Sequence, residues 1–240
     1  MIRGFPHRYE NSFFHLALEG LRQEPGQTGE ITSTVHTMGG FPVTRVVKHF
    51  KARCVDAKPK ADVVLLQFGT CDLMVHTRRR REPSSRKPST RPTNLADQLK
   101  WRLQGFVGDA LRLRPVTAPK IYAETMLQLV RTLLEHRIVP VVLSPFVLGS
   151  RRSDGMARDG TARLKEALAG VPAAVYAEVY SALDAQPRRK MLLGDGAHLS
   201  IRGQEVVAEA LRPHLAGVVR SQAWLAMDDP AEEQAGSKAN

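Results

Sequence analysis

At 240 residues with 42% hydrophobic content, the chain is long enough for one α/β domain with a single large core, and none of its apolar runs approaches the roughly 20 residues that span a bilayer. Two cysteines, Cys54 and Cys71, exclude a disulfide framework in a chain this long, and Met1 to Arg8 contains no secretory apolar region, so a reducing, cytoplasmic setting is expected. The formal net charge of +11 favours acidic partners or anionic surfaces and carries no information about fold.

In chain order, short apolar runs alternate with segments of helical period, the pattern of a parallel sheet covered on both faces. A first helix is predicted over Asn11 to Arg22, with Phe14, Leu16, Ala17 and Leu21 on its apolar side and Asn11 or Ser12 as its cap. Strands follow at Ile31 to Met38 and at Ala61 to Phe68, both short and bounded by turn residues. Thr77 to Pro92 then holds seven basic residues against one acid, with three prolines and no apolar side chain, which predicts a solvated insertion. That insertion carries +6 (seven minus one) of the net +11. A helix over Ile121 to His136 sets Met126, Leu127, Val130, Leu133 and Leu134 on one face, and a strand is predicted at Arg137 to Ser144. Arg158 to Ala169 is a weaker helix, and Ala173 to Tyr180 a fourth strand. The last helix, capped by Ser200, aligns Val206, Val207, Ala210, Leu211 and Leu215 on one stripe. The expected organisation is a single domain over residues 1–227 with the basic insertion at 77–92, followed by a polar, frayed tail at 228–240.

In an open parallel sheet, ligands and chemistry gather beyond the carboxyl ends of the strands. There the sequence places Gly39-Gly40 after the first run, Gly69-Thr70-Cys71-Asp72 after the second, and, beyond a connector, "LLGDGAHLSIRGQ" from Leu192 to Gln204. The last stretch sets Asp195 and His198 three residues apart in a glycine-containing loop before the best helix of the chain. On its own, such a spacing also describes a turn cap beside a surface histidine. A tight loop can nevertheless hold a carboxylate against one imidazole nitrogen while the other faces a nucleophile.

Taken together, these blocks and their order resemble the SGNH (GDSL-type) hydrolase superfamily over nearly the whole chain from Gly4 onward. The resemblance implies a three-layer α/β/α fold with a flavodoxin-like parallel sheet and a serine hydrolase mechanism on ester bonds, with no metal or organic cofactor. It implies His198 as general base, Asp195 as the acid that orients it, and Gly40 (or Gly39) as a backbone oxyanion donor. The third block is G-x-N-D in that family, and here Cys71 stands where the asparagine amide would be a second oxyanion donor; a thiol is a weaker and shorter one. For Cys71, a buried and inert thiol is the preferred reading over a nucleophile beside His198. Asp72 is expected to hold its loop by hydrogen bonds rather than to react.

The front of the chain departs most from the resemblance, because no G-D-S block and no first apolar strand precede "GFPHRYENSFFHLALEGL". The expectation is a chain that begins at an internal methionine just past its nucleophilic serine, leaving an interior strand of a 2-1-3-4-5 sheet absent and its neighbours unpaired. Ser12 is read as a helix cap rather than a displaced nucleophile. Substrates are expected to be small-molecule, carbohydrate or lipid esters. The alternative is a degenerate or truncated, non-catalytic member that binds an anionic partner through Arg78 to Arg91. Nucleic acid is disfavoured, because these cations lack interleaved aromatics.

Overall fold

The computed structural model describes residues 9–24, 30–36, 41–75, 103 and 114–221. Gly39 and Gly40, the basic stretch 77–92 and the tail 228–240 lie outside the described residues.

Among the described residues, three parallel strands form the sheet, β1 (Val63–Leu66), β2 (Val139–Leu143) and β3 (Val175–Ala177), in the order β1-β2-β3. The register sets Val63 beside Val139 and Leu66 beside Val142, then Val141 beside Val175 and Leu143 beside Ala177. The central strand β2 is buried along its whole length, as its unbroken apolar sequence requires, whereas three of the four β1 residues are half-buried.

The helices fall into two sets around this sheet, giving the helix–sheet–helix layering expected of a parallel α/β fold. On one side lie α1 (Phe13–Arg22) and the long α8 (Ile201–Ser221), which pack on each other, with α8 against β2 and β3. The other set is α2 (Val43–Phe50), α4 (Pro119–Glu135) and α5 (Arg151–Ala169), with α4 seated between α2, α5 and β2. Short helical segments α3 (Thr70–Leu73), α6 (Tyr180–Asp184) and α7 (Arg188–Met191) sit beyond the strands' carboxyl ends. Helix α4 shows how sequence makes such an element. Pro119 begins it with its φ already helical, and Met126, Leu129, Val130 and Leu133 fall on one face, each at most 1% exposed. Burying a side chain of that kind stabilises by about 1.5–3 kcal/mol. The helix closes when Ile138 donates its N–H to the Leu133 carbonyl, which sets Arg137 at φ 58.

Two sequence expectations need correction. Residues 31–36 are not a strand: Thr32, Ser33 and Thr34 are exposed, and no described strand pairs with them. β-branched residues favour extended backbone, but a strand exists only where a neighbour completes its ladder. The weak helix predicted at Arg158 starts instead at Arg151, because Ser150 caps it by accepting the Ser153 N–H at 3.2 Å. Packing of Ala157, Thr161, Leu164 and Leu168 against the core outweighs the cost of Gly155 and Gly160 within it. Among the described residues, no helix is long and apolar enough to cross a membrane.

Candidate active site

The segment between α7 and α8 folds into a closed loop because its two ends pair. Leu192 and Leu199 form an antiparallel bridge, Ser200 donates its N–H to the Met191 carbonyl at 2.8 Å, and Leu193 donates to the His198 carbonyl at 2.8 Å. Gly196 turns the chain at φ +69, a left-handed value that favours glycine. Ser200 then starts α8 by accepting the Gly203 N–H at 3.0 Å, the cap its position predicts.

This loop orients Asp195 before any chemistry is considered. Its Oδ1 accepts the backbone N–H groups of Ala197 at 2.9 Å and His198 at 3.0 Å, which leaves Oδ2 facing Nδ1 of His198 at 2.5 Å. The Asp195 side chain is 2% exposed and that of His198 23%, so the acid is sealed in while the imidazole reaches the surface. Burial by itself would push the Asp195 carboxyl up. The His198 imidazole and the two backbone N–H groups more than offset this and hold it below the ordinary carboxylate value. An ionised Asp195 only accepts hydrogen bonds, so Nδ1 of neutral His198 carries the proton and Nε2 has the basic lone pair.

Neighbouring loops are fastened to this one. Gly149, five residues beyond Ser144 at the end of β2, donates its N–H to the Gly196 carbonyl at 2.8 Å. A Cβ on Gly149 would lie 2.6 Å from the Gly196 Cα, so the two backbones touch with no side chain between them. Ser144, fully buried, accepts the N–H groups of Val179 at 3.0 Å and Tyr180 at 2.9 Å, joining the loops after β2 and β3. The loop after β1 turns at Gly69 with φ +115 and packs on Pro145.

Cys71 stands in α3 just after that turn, half-buried and outside any disulfide. Its neighbour Asp72 is 1% exposed, and its Oδ1 accepts the Val43 N–H at 2.8 Å and the Thr117 hydroxyl at 2.9 Å. Thr117 also donates its N–H to the Asp72 carbonyl at 2.8 Å. Burial pushes the Asp72 carboxyl up, partly offset by these donors. Asp72 thus ties the start of α2, three residues beyond Gly40, to the third block. Ser12 is a buried cap, accepting the His15 N–H at 3.3 Å. The structure therefore brings Asp195 and His198 together and sets Cys71 at the carboxyl end of β1. The roles of Gly149 and Thr117 had no sequence signal beyond a glycine after a strand and a threonine before a helix.

Solved structures with a similar fold include esterases and lipolytic proteins. The chain is similar to an acetylxylan esterase from Geobacillus stearothermophilus, with 14% identity and a TM-score of 0.59 over 85% of this chain and 80% of that one. It is also similar to a member of the lipolytic G-D-S-L family from Veillonella parvula, with 13% identity and a TM-score of 0.56 over 87% and 90%. A third is an alpha/beta hydrolase enzyme from the metagenome of Lake Arreo, Spain, with 15% identity and a TM-score of 0.58 over 86% and 82%. No protein-family model and no curated protein matches the sequence.

Proposed function

We propose that this chain, which has the fold of the SGNH hydrolases, encodes an ester hydrolase in which His198 is the general base and Asp195 its orienting acid. The observation that carries this is the 2.5 Å contact between Asp195 Oδ2 and His198 Nδ1, made by a buried carboxylate whose other oxygen is fixed by two backbone donors. Nε2 of His198 takes the proton of a serine hydroxyl as the hydroxyl oxygen attacks the ester carbonyl. The imidazolium so formed is stabilised by Asp195, and it returns the proton to the leaving alcohol; water then cleaves the acyl-enzyme by the same route. In the oxyanion site, Gly40 supplies a backbone N–H, and Cys71 occupies the position where a side-chain amide would be the stronger donor.

Among the described residues, Ser12, Ser150 and Ser200 cap helices, Ser144 holds two backbone N–H groups, and Ser153 accepts the Val75 N–H at 3.0 Å. These commitments, with Cys71 in the asparagine position, favour the second reading, a non-catalytic relative that binds an anionic partner through Arg78 to Arg91. Acetyl and short acyl esters are the substrate class tested first. Hydrolysis of p-nitrophenyl acetate is expected of a protein that carries a Gly-Asp-Ser strand end ahead of Met1, and His198→Ala in that protein is expected to remove nearly all of it. Turnover indistinguishable from buffer in that extended protein would favour the binding role, and full turnover in its His198→Ala variant would place the base elsewhere.

A further inference from the structure

We propose that Arg188 and Asp154 are positioning residues for the Asp195–His198 pair, acting on it through the backbone of Leu148 and Gly149; this rests on the assignment of that pair as acid and base.

Asp154 lies in the first turn of α5, and its side chain is 8% exposed. Its Oδ1 accepts the Leu148 N–H at 3.1 Å, while Oδ2 accepts the Tyr180 hydroxyl at 2.9 Å and Nη2 of Arg188 at 2.7 Å. Arg188, the first residue of α7, donates through Nη1 to the Leu148 carbonyl at 2.7 Å and through Nη2 to Asp184 at 2.7 Å. One ion pair therefore takes both backbone polar groups of Leu148. The next residue is Gly149, whose N–H meets the Gly196 carbonyl and whose Cα abuts Gly196, the residue that follows Asp195. With close-packed backbone and no flexible side chain between them, a displacement of Leu148 is a displacement of the catalytic loop.

Arg188 grips the same loop from its other end. Its carbonyl accepts the N–H of Leu192 at 2.8 Å, and Leu192 pairs with Leu199 across the neck of the loop. Holding α5 to α6 and α7 needs only the Asp154, Tyr180 and Asp184 contacts, a task Arg158 shares by reaching Asp184 at 3.3 Å. The two bonds to Leu148 add nothing to that tie. They fix one peptide segment beside the site, in the fork geometry that a guanidinium provides and an ammonium does not.

The test follows the titration of the His198 ring by NMR, with its Cε1–H resonance assigned by its loss in His198→Ala. Removing the Arg188 cation without moving the loop favours the imidazolium and raises the midpoint. Loosening the contact with Asp195 disfavours the imidazolium and lowers it, so the two effects have opposite sign. Arg188→Met is expected to lower the midpoint by about half a pH unit or more, and Arg188→Lys to restore part of the loss. Gly149→Ala, which alters no charge and drives a methyl against Gly196, is expected to lower it as well. Leu133→Ala, in the α4 core, is expected to reduce Tm while leaving the midpoint in place. A midpoint that rises or stays fixed in Arg188→Met overturns the proposal whatever Gly149→Ala does, and if Arg188→Met does not fold, Arg188→Lys decides it: an unchanged or raised midpoint there overturns the proposal. The readout is independent of turnover: if His198→Ala stays active while Arg188→Met lowers the midpoint, the base assignment fails and the positioning role stands.

Discussion

Asp72 and Asp195 are both buried aspartates beyond the carboxyl ends of strands, and they are used in opposite ways. Asp72 gives one oxygen to two donors from distant segments, Val43 and Thr117, and burial raises its pKa. Asp195 gives one oxygen to its own loop and the other to His198, and its pKa is lowered although burial alone would raise it. The two differ in what they face: donors from other chain segments for Asp72, and an imidazole for Asp195. Depth of burial does not separate them.

The largest expected difference between the two is in turnover. Asp195→Asn keeps the shape of the side chain but removes the charge that stabilises the imidazolium and the acceptor that fixes its tautomer. In a parent that carries a Gly-Asp-Ser strand end ahead of Met1, a loss on the order of 10⁴-fold in kcat on p-nitrophenyl acetate is expected, with Tm within a few degrees of that parent. Asp72→Ala is expected to reverse that pattern. It leaves the buried Val43 N–H and Thr117 hydroxyl without their acceptor, costing on the order of 2–4 kcal/mol and lowering Tm by about 10 °C. A Tm change of equal size in both variants would collapse the distinction.

Acid titration separates the two more finely. Asp195, with its folded-state pKa lowered, contributes stability that is complete above the ordinary carboxylate pKa and is lost as pH falls through its folded value. Asp72, with its pKa raised, is favoured in its protonated form by folding, so it adds stability as pH falls from its folded value toward the ordinary one. In melts from pH 7 to pH 3, the Tm advantage of the parent over Asp195→Asn should shrink with acidification. The Tm difference between parent and Asp72→Asn should move the other way, in the parent's favour. The smallest effect is expected at the residue beside Asp72: Cys71→Asn, by supplying a side-chain amide, should raise kcat by up to about tenfold with KM nearly unchanged. A fall in kcat would argue against Cys71 as the oxyanion position.

What the sequence disclosed follows how local each feature is. The Asp195–His198 pair is visible because its partners are three residues apart and the loop builds the contact itself. The β2 run and α4 are visible because apolar spacing reports burial directly. Helix α2 went unseen: Val43, Val46 and Phe50 have helical spacing, but "VTRVVKHF" is rich in β-branched residues. The converse holds at Ile31, where strand propensity finds no pairing neighbour among the described strands. The Asp154–Arg188 bond spans 34 residues, and nothing in either local sequence announces the other. Asp72 was legible as a structural acid, while its partners Val43 and Thr117 were not.

The crossing of Gly149 and Gly196 also bears on how such a chain can drift in evolution. Two backbones in bare contact constrain each other's sequence as a hydrophobic contact does not, since a core can exchange volume between neighbours and neither glycine has any to give. A side chain at position 149 would have to be met by a retreat of the segment carrying Gly196, with a changed loop length or turn between Leu193 and His198. Variation at these two sites should therefore be concerted, and it should coincide with a remodelled loop.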